Sequence, residues 1–192
     1  MTTITLSSTR STFSWKAASI QLAQICLFTA LTALAAQIRF PLPGNPVPIT
    51  LQSLAVILSG AFLGSRKGAL SQILLIVLGS AGLAVFSQPN PGYIVLLGPT
   101  GGYIFGFVLA AYVSGWISEN TPKTSFTNRN IQLFLASLFI FLPGVVWLKT
   151  YTGQSLTHAI QLGFVPFIVG DLVKTVIAAS IVSSTKTIRL FR

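Results

Sequence analysis

Long apolar segments that carry almost no charged side chains make up most of this chain. Of its 192 residues, 52% are hydrophobic and only 7% are Asp, Glu, Lys or Arg. A soluble domain needs a charged surface, and about 25% charged residues is usual for one. We therefore predict an integral membrane protein of the all-α class, with the lipid bilayer as its solvent.

The breaks between apolar segments predict about six spanning helices. The predicted spans are 17–39, 49–64, 68–86, 98–118, 131–148 and 158–183. Nine of the twelve Lys and Arg residues fall on one side of these spans, Arg39 and Lys149 fall on the other, and Lys174 lies within a span. The positive-inside rule then predicts a multi-pass protein of the cell membrane with both termini in the cytoplasm.

The domain organisation predicted from these spans is simple. Residues 1–16 are expected to form a mobile cytoplasmic tail, 17–185 a single six-helix transmembrane domain, and 186–192 a basic cytoplasmic tail. The first apolar run, 20–38, is as long as a spanning helix needs to be, so we expect it to be retained and not cleaved as a signal peptide.

Asp171 and Lys174 form the polar feature that most constrains function. The sequence has only two acidic residues, and this one lies deep in the last apolar segment, three positions before a lysine. An ionisable side chain near the bilayer centre costs from about 3 to more than 10 kcal/mol, so such residues usually face a cavity, a ligand or each other. The pair either forms an internal ion pair or provides two polar side chains of a ligand site, and we favour the ligand site.

Residues elsewhere in the chain could complete such a site. Prolines and glycines interrupt the apolar pattern near 41–48 and 89–102, and broken spans commonly border the binding site of a transporter. The candidates for neutral hydrogen bonds are Asn90, Gln88, Tyr93, Gln52 and Thr50. The candidates for an apolar wall are Trp147, Phe86 and Tyr103.

The sequence gives no basis for an enzyme or for a resident cofactor. It has one Cys, one His and a single acid within the spans, which rules out the usual metal clusters and paired carboxylates. The segment 98–102 is glycine-rich but lacks the Gly-Lys-Ser/Thr ending of a phosphate loop. The basic residues mark loop ends and form no nucleic-acid patch. If ATP energises this protein, we expect partner subunits to hydrolyse it.

Small residues form one face on each of two predicted helices, where another helix could pack closely. On the fourth span they recur every four positions, at Gly98, Gly102, Gly106, Ala110 and Ser114. Such a ridge lets another backbone approach closely. Packing inside the chain's own bundle is the favoured interpretation, and docking against a partner membrane protein is the alternative. A weaker face of the same kind lies on the first span at Thr29, Ala33, Thr32 and Ala36.

Four ordered segments resemble the BioY family, the substrate-binding S components of energy-coupling-factor (ECF) biotin transporters. The segments are 46–52, 58–69, 97–103 and 166–174. The resemblance implies a six-helix S-component bundle that captures biotin from outside, with Asp171, Lys174 and either Asn90 or Gln88 at the site. It also implies partners, namely a transmembrane coupling protein and two ABC-type ATPases, which the small-residue face of the first helix would contact. The alternatives are a self-sufficient biotin carrier, an S component for another small vitamin, and a subunit that binds no small molecule.

Overall fold

A computed structural model of the chain describes residues 15–88 and 92–184. Within these ranges the helices are α1 (Trp15–Gln37), α2 (Gln52–Leu63), α3 (Ser65–Ser80), α4 (Gly92–Leu97), α5 (Gly101–Asn120), α6 (Phe126–Thr152), α7 (Leu156–Gly163) and α8 (Ile168–Ser184). Two short strands, β1 (Arg39–Phe40) and β2 (Ile49–Thr50), pair antiparallel in the link between α1 and α2. Both predicted tails lie largely outside the described residues.

The predicted all-α bundle of about six apolar helices is confirmed. Four stretches are long and apolar enough to cross a membrane: 15–37, 101–120, 126–152 and 156–184. The helices α2 and α3 are shorter, at 12 and 16 residues. The third span ends earlier than predicted because the chain turns at Gly82, whose φ of 96° favours glycine. The fifth begins earlier than predicted, where Ser125 caps its N-terminus.

The last predicted span is interrupted. Helix α7 ends at Gly163, a single turn of 3₁₀-helix covers Val165–Phe167, and α8 then runs from Ile168. Pro166 cannot donate a backbone hydrogen bond, which explains why one continuous helix does not form here. The break brings Phe167 into the interior, where it is buried, one turn before Asp171.

The link between α1 and α2 packs against two other connections at one end of the bundle, which we call the hairpin end. Arg39 donates a hydrogen bond to the Ser87 carbonyl in the link after α3. Asn45 donates to the Leu162 carbonyl near the end of α7, at 2.7 Å. These bonds hold the β1–β2 hairpin against the α3–α4 link and against α7.

The opposite end of the bundle carries most of the described basic residues, and it also carries Glu119. Its carboxylate accepts hydrogen bonds from the backbone N–H and the hydroxyl of Ser65, at 2.8 and 2.9 Å, and so ties α5 to the first residue of α3. A carboxylate at a helix N-terminus satisfies donors that have no partner within the helix. The second acid of the sequence therefore has a structural role far from the first.

Helix α5 is the centre of the bundle because small residues let its neighbours approach. Cβ atoms added at Gly102 and Gly106 would collide with the backbone of α6, so those two positions set the α5–α6 spacing. Ala110 and Ser114 are fully buried, and the Ser114 hydroxyl donates to the Ile57 carbonyl on α2 at 2.8 Å. The ridge on the predicted fourth span therefore packs inside the bundle, as favoured.

The small-residue face of α1 also packs inside the chain, which corrects the prediction that it contacts a partner. Thr29, Thr32 and Ala36 are at most 3% exposed, and Ala33 packs against the core. Thr29 donates to the Ser71 carbonyl on α3 at 2.8 Å. In this conformation α2 and α3 cover the face, while large apolar side chains of α1 such as Leu27, Leu31 and Leu34 point outward.

We expect Gly60→Ala to destabilise the bundle. A Cβ at this position would collide with the Ala111 carbonyl oxygen on α5, and backbone atoms cannot move aside at low cost. Overpacking of this kind costs about 1–3 kcal/mol. The measurement is the thermal unfolding midpoint of the purified protein in detergent. Gly170→Ala is the matched control, because a Cβ there meets nothing within 4 Å and its midpoint should not fall.

Candidate functional site

A cleft enters the bundle from the hairpin end and reaches the polar pair of α8. It contains ≈ 550 Å³ of space, part of which is open to solvent. Its lining comes from the hairpin, α2, the α3–α4 link, α5, α6 and the start of α8. The lining residues are Val47, Pro48, Thr50, Gln52, Ser53, Ser87, Thr100, Tyr103, Ile104, Phe107, Ile140, Phe141, Phe167, Asp171 and Lys174.

Ser53 joins Asp171 and Lys174 at the floor of the cleft. Its hydroxyl donates to Asp171 Oδ1 at 2.9 Å and accepts from Lys174 Nζ at 2.9 Å. The direct separation of Lys174 Nζ and Asp171 Oδ1 is longer, at 3.5 Å. The acid and the base are 2% and 8% exposed, so both charges are buried. A serine of α2 thus fixes the geometry of an ion pair on α8.

This arrangement leaves hydrogen-bonding groups unused at the cleft. Asp171 Oδ2 and Gln52 Nε2 are buried, and neither has a hydrogen-bond partner among the described residues. Of the three N–H donors of an ammonium group, Lys174 uses two in the described part of the chain, on Ser53 and Asp171. Leaving a buried polar group unpaired costs about 1–3 kcal/mol. One anionic acceptor and two donors therefore favour a ligand that offers both N–H and C=O groups.

Aromatic and aliphatic side chains make up most of the remaining cleft wall. Tyr103 lines the cleft with its ring, while its hydroxyl donates to the Gly163 carbonyl at 2.9 Å. The Phe141 ring contacts the rings of Tyr103 and Phe167, with centroids 6.2 and 6.1 Å apart. Such a wall suits the burial of an apolar ring or alkyl tail.

The structure brings together five of the ten predicted site residues. Asp171, Lys174, Gln52, Thr50 and Tyr103 all line the cleft. Their roles as ligand-binding groups stay predictions.

Four other predicted site residues are not among those that line the cleft. Gln88 lies in an outer depression and donates to the Thr100 hydroxyl at 3.5 Å. Trp147 donates to the Gly98 carbonyl at 2.8 Å, and Phe86 packs on Gly79. Tyr93 is 57% exposed. Asn90 lies outside the described residues.

Sequence reasoning missed Ser53 and several residues of the wall. Ser53 follows Gln52, which was a candidate, and a lone serine in an apolar helix is unremarkable without its spatial neighbours. Thr100 lies inside segment 97–103, which resembles the BioY family. Its side chain was nevertheless not among the predicted site residues. Ile140, Phe141 and Phe167 resemble every other apolar residue of their spans, and no sequence signal distinguishes a cleft-facing one.

Comparison with known proteins gives a consistent result at three levels. A model of the BioY family matches residues 7–190. The chain is 41% identical to biotin transporter BioY of Thermotoga maritima over 172 residues, which cover 90% of this chain and 99% of that protein. It is 38% identical to a probable biotin transporter BioY of Pyrococcus horikoshii, across 82% of this chain and 90% of that one.

A solved structure shares the fold. It is the crystal structure of an S-component for biotin from an ECF-type ABC transporter, with a TM-score of 0.83, 24% identity, and coverage of 94% of this chain and 99% of that chain. At that identity the likeness shows the fold alone. The family match and the 41% identical relative show more, and this chain belongs to the BioY family.

Proposed function

We propose that this protein is the biotin-binding S component of an ECF-type importer. The observation that carries the proposal is the set of unused polar groups on the cleft floor, Asp171 Oδ2, Gln52 Nε2 and one Lys174 N–H. Biotin carries a ureido group with N–H donors and a carbonyl acceptor. Asp171 accepts from a ureido N–H, and Lys174 with Gln52 donates to the ureido carbonyl. Hydrogen bonds to ionised groups contribute about 1.5–3 kcal/mol each.

The apolar half of the cleft completes the match to this ligand. The sulfur ring and alkyl chain of biotin pack against Tyr103, Phe107, Phe141 and Phe167, all of which line the cleft. With its ring at the cleft floor, biotin extends its carboxylate tail toward the hairpin end. The cleft opens at that end, so the ligand enters there.

The proposed orientation in the cell membrane follows from the basic residues. Lys16, Arg66, Lys67, Lys123 and Arg129 lie at the end opposite the hairpin. The positive-inside rule places that end and both termini in the cytoplasm and the cleft on the outer side. The chain then crosses the bilayer about six times as a single domain, with short tails at both ends.

In the proposed mechanism this chain binds biotin and other subunits supply the energy. Its sequence holds no phosphate-binding motif, so ATP hydrolysis falls to two ABC-type ATPases acting through a transmembrane coupling protein. The first test is uptake of labelled biotin by cells without their own biotin transporter. We expect uptake when the chain is co-expressed with those three subunits. Equal uptake by the chain alone would point instead to a self-sufficient carrier, and no uptake in either case would contradict the proposal.

Ser53 should matter through the two charges that it orients. We expect Ser53→Ala to weaken biotin binding about tenfold, because Lys174 would then close onto Asp171 and occupy the acceptor that the ureido group needs. Equilibrium binding to the purified protein measures this change. Ser180→Ala is the control, since that hydroxyl bonds only its own helix. Unchanged affinity in Ser53→Ala would remove the serine from the site.

A further inference from the structure

The cleft opens into a second, shallower depression at the hairpin end, which we call the vestibule. It encloses ≈ 840 Å³ that is largely open to the outside. Its lining residues are Arg39, Pro41, Asn45, Pro46, Pro48, Ser87, Gln88 and Pro99. Pro48 and Ser87 line both the vestibule and the cleft, so the two spaces are contiguous. A ligand that enters the cleft past Pro48 and Ser87 comes from the vestibule.

The hairpin holds Arg39 at the junction of these two spaces. In the β1–β2 pair Arg39 lies opposite Thr50, and Thr50 lines the cleft. The guanidinium of Arg39 donates a hydrogen bond to the carbonyl of Ser87, which borders both spaces. A guanidinium has five N–H donors in a planar fork that matches a carboxylate. The bond to Ser87 positions the group and uses one of its donors, and Arg39 itself lines the vestibule.

Arg39 is the single charged residue among those that line the vestibule in the described part of the chain. The whole sequence contains two acidic residues. Asp171 lies at the cleft floor, where Lys174 accompanies it, and Glu119 lies at the opposite end of the bundle bonded to Ser65. No Asp or Glu side chain therefore competes for Arg39, and the vestibule attracts anions.

We propose that Arg39 forms a second subsite, which binds the carboxylate of the ligand at the mouth of the cleft. This inference rests on the proposed function, since it takes the ligand to be bound ring-first with its tail toward the hairpin end. The deep polar groups then recognise the ureido ring, and Arg39 recognises the acidic tail. The two subsites together select a molecule with a polar ring at one end and an anion at the other.

The experiment compares biotin with biotinamide, whose tail is neutral, on wild type, Arg39→Gln and Arg39→Lys. We expect Arg39→Gln to weaken biotin binding about tenfold and biotinamide binding less than about twofold, with Arg39→Lys in between for biotin. Higher salt should weaken biotin binding to wild type more than to Arg39→Gln, because the attraction at this exposed site is screened. Lys149→Gln is the control for a general surface charge, since Lys149 is the other basic residue predicted on this side.

Several results would overturn the subsite. Equal losses for biotin and biotinamide in Arg39→Gln would mean that Arg39 only holds the Ser87 link in place. An equal loss in Lys149→Gln would assign the effect to the overall field of this surface. Unchanged biotin affinity in Arg39→Gln would leave the proposed function intact and refute the subsite alone. Failure of folded wild type to bind biotin at all would instead refute both.

Discussion

Replacing Asp171 with Asn should lower biotin affinity by more than about 100-fold. The substitution keeps the shape of the side chain but removes the negative charge. Where Asp171 Oδ2 would accept a hydrogen bond from a ureido N–H, the Asn amide can present a second N–H instead. Removing one partner of a buried, hydrogen-bonded charge pair costs about 2–5 kcal/mol, and 1.4 kcal/mol is a tenfold change in affinity. Equilibrium binding of labelled biotin to the purified variant measures the loss.

Two controls separate a binding defect from a folding defect in Asp171→Asn. The variant leaves Lys174 buried beside a neutral partner, so its thermal unfolding midpoint should also fall. Affinity must therefore be measured on the folded fraction, isolated by size-exclusion chromatography. Glu119→Gln removes the other acid of the sequence, which lies at the opposite end, and should leave biotin affinity unchanged. A loss of less than about threefold in folded Asp171→Asn would remove the carboxylate from the site.

Replacing Lys174 with Ala should weaken biotin binding about 30-fold. The change removes the ammonium donor proposed for the ureido carbonyl, and it also removes the charge beside Asp171. A lost charge-assisted hydrogen bond of about 2 kcal/mol corresponds to this factor. Lys67→Ala is the matched control, because Lys67 donates to Gln24 at the other end of the bundle. A loss within about threefold, under about 0.7 kcal/mol, contradicts the assignment of Lys174.

The double variant Asp171→Asn with Lys174→Ala tests whether the two charges act as one unit. Residues that share a hydrogen-bond network show interaction energies of about 0.5–3 kcal/mol in such cycles. Because Ser53 bonds both side chains, we expect the double variant to lose less affinity than the two single losses multiplied together. Strictly multiplicative losses would mean that each residue contacts the ligand independently.

The sequence was sufficient for the all-α class, for the approximate number of apolar helices and for the interior position of Asp171 and Lys174. Charge is so expensive in lipid that Asp171 and Lys174 could be assigned to an interior site from their position alone. Prolines near 41–48 correctly indicated a break in regular structure, since proline cannot sustain a helix ladder. The break at Pro166 was not predicted, because the last span was expected to run unbroken over 158–183. Residues from both interruptions predicted near 41–48 and 89–102, including Pro48 and Thr100, line the cleft.

The faces that helices turn toward each other could not be predicted in the same way. In a bilayer, lipid tails are as apolar as a protein core, so hydrophobicity does not distinguish an outward Leu31 from a cleft-lining Ile140. For the same reason the small-residue face of α1 was expected to contact a partner, whereas Thr29 and Thr32 are buried within the chain. Ser53 could be recognised as a site residue only from its hydrogen bond to Asp171 on α8, which is 118 positions away in the sequence.

The central claim is that this protein binds biotin through the polar floor of the cleft. The most direct test is a calorimetric titration of the purified wild-type protein in lipid nanodiscs with biotin and, separately, with nonanoic acid, which has an apolar tail and a carboxylate but no ureido ring. We expect tight one-to-one binding of biotin and at least about 100-fold weaker binding of the acid, because the acid leaves Asp171 Oδ2 and Gln52 Nε2 unpaired. No binding of biotin by the folded protein, or equal affinity for the two compounds, would contradict the claim.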